Sequence, residues 1–235
     1  MNGDMIGRVI KNRYKLIDER GRGSFATVYV ARDTENNHIY AVKVMHLELS
    51  NDGELLARFQ REAHILLNLH DTHIVRIVDY GNDTNMPFIV MDYIDGQNLK
   101  YHMITQGPME PLRALNYTRQ IAEGLDTAYK QGVVHRDIKP QNILIDNKDD
   151  VKIIDFGFST CIPNDKKIKI FCGTPSYMAP EIVQKIEYAG PPADIWALGV
   201  LLFTILSGCF PYRGATDKEL YKKIMRAEYR LPSEV

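Results

Sequence analysis

Cysteine is scarce: Cys161, Cys172 and Cys209 are the only three, an odd number without metal-ligand spacing. They exclude a disulfide framework and a zinc finger, and read as free thiols of a reducing, cytoplasmic compartment. Excess charge is absent too. The net charge of -1 implies neither a nucleic-acid nor a membrane-surface partner. No apolar segment opens the chain, so MNGDMIGRVIKNRYK is not expected to be a signal peptide. The most apolar run, Trp196 to Phe210, is interrupted by Thr204, Ser207 and Gly208; it reads as a buried helix too short to span a bilayer. There is no internal repeat, and no Walker Gly-Lys-Ser/Thr follows the early glycines. What is present is ordinary for a globular protein: 45% hydrophobic and 25% charged residues over 235 positions, enough for one domain or two lobes.

The chemistry gathers in HRDIKPQNILIDNKDDVKIIDFG, His135 to Gly157. Two polar clusters flank a run that alternates like a strand pair. One holds Asp137, Lys139 and Asn142; the other holds Asp155 beside Phe156 and Gly157. Two carboxylates, an amine and an amide are suited to holding a hard divalent cation on a polyphosphate while a hydroxyl is aimed at it.

In chain order, residues 1–11 read as a leader. YKLIDERG and ATVYVAR read as two strands, joined through Gly21, Arg22, Gly23, Ser24 and Phe25, with Val28 just beyond. The third place of a Gly-x-Gly-x-x-Gly pattern is Ala26, so the segment alone is better explained by a plain hairpin turn than by a phosphate cradle. Ile39 to Met45 is an apolar strand carrying Ala41 and Lys43; the lysine is either solvated at an edge or buried for a purpose. Asp52 to Leu69 reads as a helix with Leu55, Leu56, Phe59, Ala63, Leu66 and Leu67 at helical spacing, and Glu62 near that face. His73 to Tyr80 and Pro87 to Tyr93 read as strands about a turn at Asn82–Asn85. A helix starts at Glu110-Pro111, with Leu112, Leu115, Ile121, Leu125 and Ala128 on one face, and Gly132 ends it.

Seven segments in this order resemble the eukaryotic-type protein kinases of the Ser/Thr class. They are the glycine segment, Lys43, Glu62, His135 to Asn142, Asp155 to Gly157, Ala179-Pro180-Glu181 and Asp194 to Gly199. RFQREAHILLNL, RQIAEGL and HRDIKPQNIL resemble bacterial Ser/Thr kinases. FCGTPSYMAPEIV and DIWALGVLLFTILSG look like the calmodulin-kinase or AMP-activated sort.

The resemblance implies an α+β, bilobal fold. Residues 12–93 would form a five-stranded N-lobe with one helix, and residues 94–235 a mainly helical C-lobe lacking its last helices, with nucleotide in the cleft. It implies Mg2+ and ATP as cofactors. Asp137 would orient the substrate hydroxyl and accept its proton, Lys139 would neutralise charge on the transferring group, and Thr174 would hydrogen-bond both. Asn142 and Asp155 would hold the metal. Lys43, fixed by Glu62, would grip the inner phosphates. Gly21, Gly23, Ser24, Val28, Ala41, Asn98 and Leu144 would line the nucleotide, with Met91 as gatekeeper and Asp92 and Ile94 offering backbone contacts to adenine. His135 would pack in an apolar column with Leu66, Ile77 and Phe156.

Three departures refine the expectation. Ile170 stands where relatives commonly have a phosphorylated threonine, so activity without a central loop phosphate is expected. Asn98, Gln141 and Lys222 stand at the acidic places of basophilic kinases, so the protein substrate is expected to lack a strong upstream arginine requirement. Phe171, Pro175 and Met178 would form an apolar pocket for the residue after the acceptor, and Phe158 favours serine. Third, the chain stops at Val235, before the helix whose arginine would pair with Glu181. It reads as a fragment, a truncation, or a domain completed by a partner. The alternatives to a protein kinase are a non-catalytic nucleotide-binding scaffold and, less well supported by the Cys172–Glu181 segment, a small-molecule phosphotransferase.

Overall fold

The computed structural model describes residues 5–161, 167–169 and 171–229. The expectations placed on Ile170, on the first four leader residues and on the chain end from residue 230 lie outside the described residues. Packing divides the chain into two units, residues 1–70 with 75–95, and residues 71–74 with 96–235. The division falls at Asp95–Gly96, two residues beyond the expected boundary.

The first unit is an antiparallel sheet with one long helix. Its strands are β1 (Val9–Ile10), β2 (Tyr14–Arg22), β3 (Ala26–Asp33), β4 (Ile39–Met45), β5 (Ile77–Asp83) and β6 (Met86–Asp92), in the order β1-β2-β3-β4-β6-β5. Six strands replace the five expected. The extra one, β1, pairs Val9 with Lys15 and Ile10 with Tyr14, inside the stretch expected to be a leader. Two residues are too few for an alternating pattern to be read, so only pairing reveals it.

The period-2 pleat sorts the side chains. Tyr29, Ala31, Tyr40, Val42, Val44, Phe88 and Val90 share one face and form the core with Tyr14 and Leu16. The turn between β5 and β6 is tighter than expected. Asp83 pairs with Met86, and Thr84 and Asn85 both take positive φ, 52° and 63°. That is the conformation a two-residue hairpin turn favours. Buried Asp33 accepts two bonds from Arg13, and this pairing holds its carboxyl below the ordinary range despite burial. The pair's contribution to stability is therefore present above the ordinary carboxylate range and lost as pH falls through the lowered value.

Helix α1 (Gly53–Asn68) is capped by Asp52, whose side chain accepts from the N–H groups of Glu54 and Leu55 at 3.0 Å. Phe59, Glu62, Ala63, Ile65 and Leu66 form its buried stripe.

The second unit is mainly helical. It contains β7 (Gly96–Asn98), α2 (Leu99–Gln106), α3 (Pro111–Lys130), β8 (Val133–Val134), β9 (Ile143–Asp146), β10 (Val151–Ile153), β11 (Thr160–Cys161), α4 (Pro180–Val183), α5 (Gly190–Ser207) and α6 (Asp217–Arg226). β7, β9 and β10 form one small sheet; β8 pairs with β11. Gly96 is required by close approach, since a Cβ there would lie 2.0 Å from the Ile145 carbonyl oxygen.

Glu110 caps α3, and Pro111 occupies its first turn as expected. The buried face is different. Leu112 and Leu115 are 75% and 53% exposed, while Ala114, Tyr117, Ile121, Gly124, Leu125 and Ala128 are buried. Two positions along a helix rotate a side chain by roughly 200°, so Leu112 and Ala114 cannot share a face. The packed surface follows the phase of the helix rather than the bulk of each residue.

α5 also corrects an expectation. It starts at Gly190 rather than Trp196, and its 18 residues are long and apolar enough to cross a membrane by length and composition alone. Half of it is buried within the unit, where it packs on α3.

Candidate active site

In the first unit the pleat that builds the core also builds a second surface. Gly21 pairs with Val28, Val28 with Lys43, and Lys43 with Ile89; one rung on, Val30 pairs with Ala41 and Ala41 with Met91. Val28, Ala41, Lys43 and Met91 therefore share the face opposite the core. Val28, Ala41 and Met91 are half-buried, an apolar platform with one amine.

The solvated reading of Lys43 is excluded. The residue is 8% exposed, and its Nζ donates to both carboxylate oxygens of Glu62, at 2.8 and 2.7 Å. Glu62 is 2% exposed, so neither charge is shared with bulk water. Breaking a buried pair from one side leaves an uncompensated charge and costs about 3–5 kcal/mol. Glu62→Ala is expected to lose that much in urea unfolding. The double change Lys43→Met with Glu62→Leu is expected to lose clearly less. Equal losses would show that the pair is not what stabilises these positions.

The glycine segment is a tight strand connection. Gly23 N–H donates to the Ala26 carbonyl at 2.9 Å, and Ala26 is buried. Asp92 donates its backbone N–H to the Arg76 carbonyl, and its side chain binds the Arg76 guanidinium. That backbone N–H is thus already engaged. Ile94 is half-buried beyond the end of β6.

The second unit carries the reactive groups. Asp137 is 4% exposed and lies at the centre of a bonded cluster. Its Oδ1 accepts from the Thr174 hydroxyl at 2.9 Å, and its Oδ2 lies 2.6 Å from Lys139 Nζ. Lys139 also donates to Thr174 at 3.2 Å. Asn142 Nδ2 donates to the backbone oxygen and Oδ2 of Asp137, at 2.8 and 3.1 Å. All four expected residues are therefore together, although Thr174 stands 37 positions from Asp137.

The same bonds test the metal site. With Nδ2 spent on Asp137, the amide of Asn142 has its oxygen as the opposite end. The Ile154 N–H donates to the Asn142 backbone oxygen at 2.9 Å, so Asp155 follows one residue from that contact. Asp155 takes a left-handed backbone, φ 64°. An amide oxygen and a carboxylate are hard donors of the kind magnesium takes with phosphate oxygens. Among the described residues no cluster of three or more His, Cys, Asp or Glu competes as a metal site. Leu144 pairs with Asn98 across β9 and β7, and the Asn98 side chain caps α2 by accepting from Tyr101 N–H.

Asp194, on α5, had no role assigned from its motif. It accepts from the backbone N–H groups of His135 and Arg136 at 2.8 and 2.7 Å. Burial pushes its carboxyl above the ordinary range, against the pull of those donors and of the His135 and Arg136 charges. Arg136 takes φ 66°, and its Nε donates to the Phe158 carbonyl at 2.7 Å. The segment preceding Asp137 is thus held by two later segments, through its backbone by Asp194 and through the Arg136 side chain by Phe158. A lone aspartate in the most apolar helix was the available signal. His135 is fully buried and meets Phe156 edge-on, with ring centroids 4.7 Å apart. The carboxylate of Glu181 has no hydrogen bond or ion pair among the described residues.

The protein kinase domain profile matches residues 14–234. The chain belongs to the protein kinase family. It is 33% identical over 229 residues to CBL-interacting protein kinase 15 of Oryza sativa subsp. japonica, covering 96% of this chain and 53% of the relative. It is 35% identical over 226 residues to serine/threonine-protein kinase PrkC of Bacillus subtilis (strain 168), covering 95% and 35%. It is 34% identical over 225 residues to NUAK family SNF1-like kinase 1 of Homo sapiens, covering 96% and 34%. The chain thus spans about a third to a half of the length of these relatives. Bacterial and eukaryotic relatives alike match nearly its whole length. Kinase membership brings ATP and a divalent metal as the general cofactors of the domain.

Proposed function

We propose that this kinase domain transfers the γ-phosphate of ATP to a serine or threonine hydroxyl of a protein, with Mg2+ as its metal. The observation that carries the reading is the Asp137 cluster, a buried carboxylate held by Thr174, Lys139 and Asn142. Phosphoryl transfer asks for positioning and charge neutralisation, which is what these groups supply. Asp137 orients the acceptor hydroxyl and takes its proton. Lys139 offsets the charge of the moving phosphoryl group. Asn142 and Asp155 would hold the metal, which would supply positive charge to the phosphates. Lys43, fixed by Glu62, would hold the inner phosphates, and Val28, Ala41 and Met91 would offer the base apolar surface. The Ser/Thr class is supported by Lys139 two residues after Asp137, by its bond to Thr174, and by the names of the relatives.

A scaffold without catalysis is not favoured, because it needs none of the bonds that centre on Asp137. The free thiols support a reducing, cytoplasmic location. Asn98, Gln141 and Lys222 support a substrate without an upstream arginine requirement. Completion of the second unit by further protein is supported by the outer face of α5, where Ile195 is 58% exposed. The test is transfer of labelled γ-phosphate to a generic serine and threonine protein substrate, with and without magnesium, followed by phosphoamino-acid analysis. Label on serine or threonine only with the metal upholds the reading. Tight ATP binding with no transfer would overturn it.

A further inference from the structure

Three residues before Thr174 in the chain, Phe171 meets two side chains from other segments on the surface. Phe171 is 42% exposed. Tyr221 of α6 meets it edge-on, with centroids 6.3 Å apart. Lys185, just beyond α4, holds its ammonium 5.3 Å from the centre of the Phe171 ring. Lys185 is a non-glycine residue at φ 57°, locked there by its N–H bond to the Ile182 carbonyl at 2.9 Å. A left-handed backbone at such a residue costs of order 1 kcal/mol and persists only where its surroundings impose it. The Lys185 backbone is therefore placed by the fold, and the contact with the ring face restrains its exposed ammonium.

The charges nearby leave this amine available. Glu187 is tied to Lys169 at 2.6 Å, and Glu219 to Lys223 at 3.0 Å and to the Ala215 N–H. Asp217 bears on the Tyr221 phenol, whose hydroxyl is raised chiefly by burial and then by that charge. Lys185 and the adjacent-helix Lys222 have no carboxylate partner among the described residues. Phe171 precedes Thr174 by three residues, at most about 10 Å of chain. Thr174 is itself bonded to Asp137. An extended peptide advances about 3.3 Å per residue. The Phe171 backbone thus lies within about three peptide residues of Thr174, the residue bonded to Asp137.

We propose that Lys185 is a specificity-determining residue that reads an anionic side chain close to the acceptor serine or threonine, with Phe171 and Tyr221 packing against that side chain's stem. This rests on the reading of the chain as a protein kinase. The shared chemistry is a carboxylate or a phosphate monoester on the peptide. An ammonium restrained over a ring loses less freedom on pairing than an unrestrained one, so more of the Coulomb attraction is retained.

The test uses serine peptides of neutral background, with aspartate, phosphoserine or alanine stepped through three places on either side. The expected result is a gain of about three- to five-fold in kcat/KM for an anionic residue on one side, the size of a good exposed ion pair. The gain should shrink as salt rises. Lys185→Met keeps a stem over the ring; it should abolish the gain and leave the neutral peptide unchanged. Lys185→Glu should shift the preference to lysine. Aspartate and phosphoserine arms separate an acidic substrate from one already phosphorylated. No anionic place exceeding alanine two-fold, or a gain that survives in Lys185→Met, would overturn the inference. If neither peptides nor generic proteins are phosphorylated, the kinase reading fails first. Binding of the same peptides by fluorescence anisotropy then decides this one, and equal affinity for aspartate and alanine peptides overturns it.

Discussion

Asp137→Asn is expected to lower phosphate transfer by about 10²–10⁴-fold, the range that a positioned general base contributes, while leaving the fold in place. The geometry explains why the change is so clean. Oδ2 faces two donors, Lys139 Nζ at 2.6 Å and Asn142 Nδ2 at 3.1 Å, whereas Oδ1 faces the hydroxyl of Thr174 at 2.9 Å. An amide settles with its oxygen toward the two donors and its nitrogen toward the hydroxyl, which accepts as readily as it donates. The cluster keeps its shape and loses the proton acceptor. The check is initial-rate transfer to a protein substrate beside a urea unfolding curve. A variant within ten-fold of the parent rate, at unchanged stability, would remove Asp137 from its proposed role.

A large effect on stability is expected at Asp194, far along the chain from the residues it holds. Asp194→Ala leaves the buried N–H of His135 and the N–H of Arg136 without their acceptor. An unsatisfied buried donor costs about 1–3 kcal/mol. The pair should therefore cost about 2–6 kcal/mol, out of the roughly 5–15 kcal/mol that hold a typical domain together. Asp194→Asn retains one accepting oxygen and should lose about half as much. Because Arg136 is kept at φ 66° partly by this bond, transfer activity should fall as well. Urea midpoints of the three proteins, with amide exchange at positions 135 and 136, provide the check. An Asp194→Ala protein within about 1 kcal/mol of the parent, the low end of that range, would show that the loop holds itself.

Glu62 and Lys43 show how far local pattern reaches. The apolar run IYAVKVM marked a strand, and helical spacing marked α1; together they placed both charges near apolar faces. Whether those charges were solvated or paired was beyond either pattern. Their pairing is a contact across 19 positions, settled only when helix and sheet are packed. The link from Thr174 to Asp137 came from family resemblance, not from spacing.

By itself the sequence determined the strands with clear alternation, the helix starts at Asp52 and Glu110, and which short segments carry carboxylates, amide and amine. Each depends on neighbours within one turn or one pleat. Only the tertiary structure decided that Val9–Ile10 joins the sheet, that Ala114 and Tyr117 rather than Leu112 and Leu115 face inward, that Asp194 holds the catalytic loop, and that Lys185 stands over Phe171. The physical reason is common to all four. Burial and hydrogen bonding are satisfied by whichever groups packing brings within about 3–5 Å, and sequence spacing carries that information only when both partners lie on the same element.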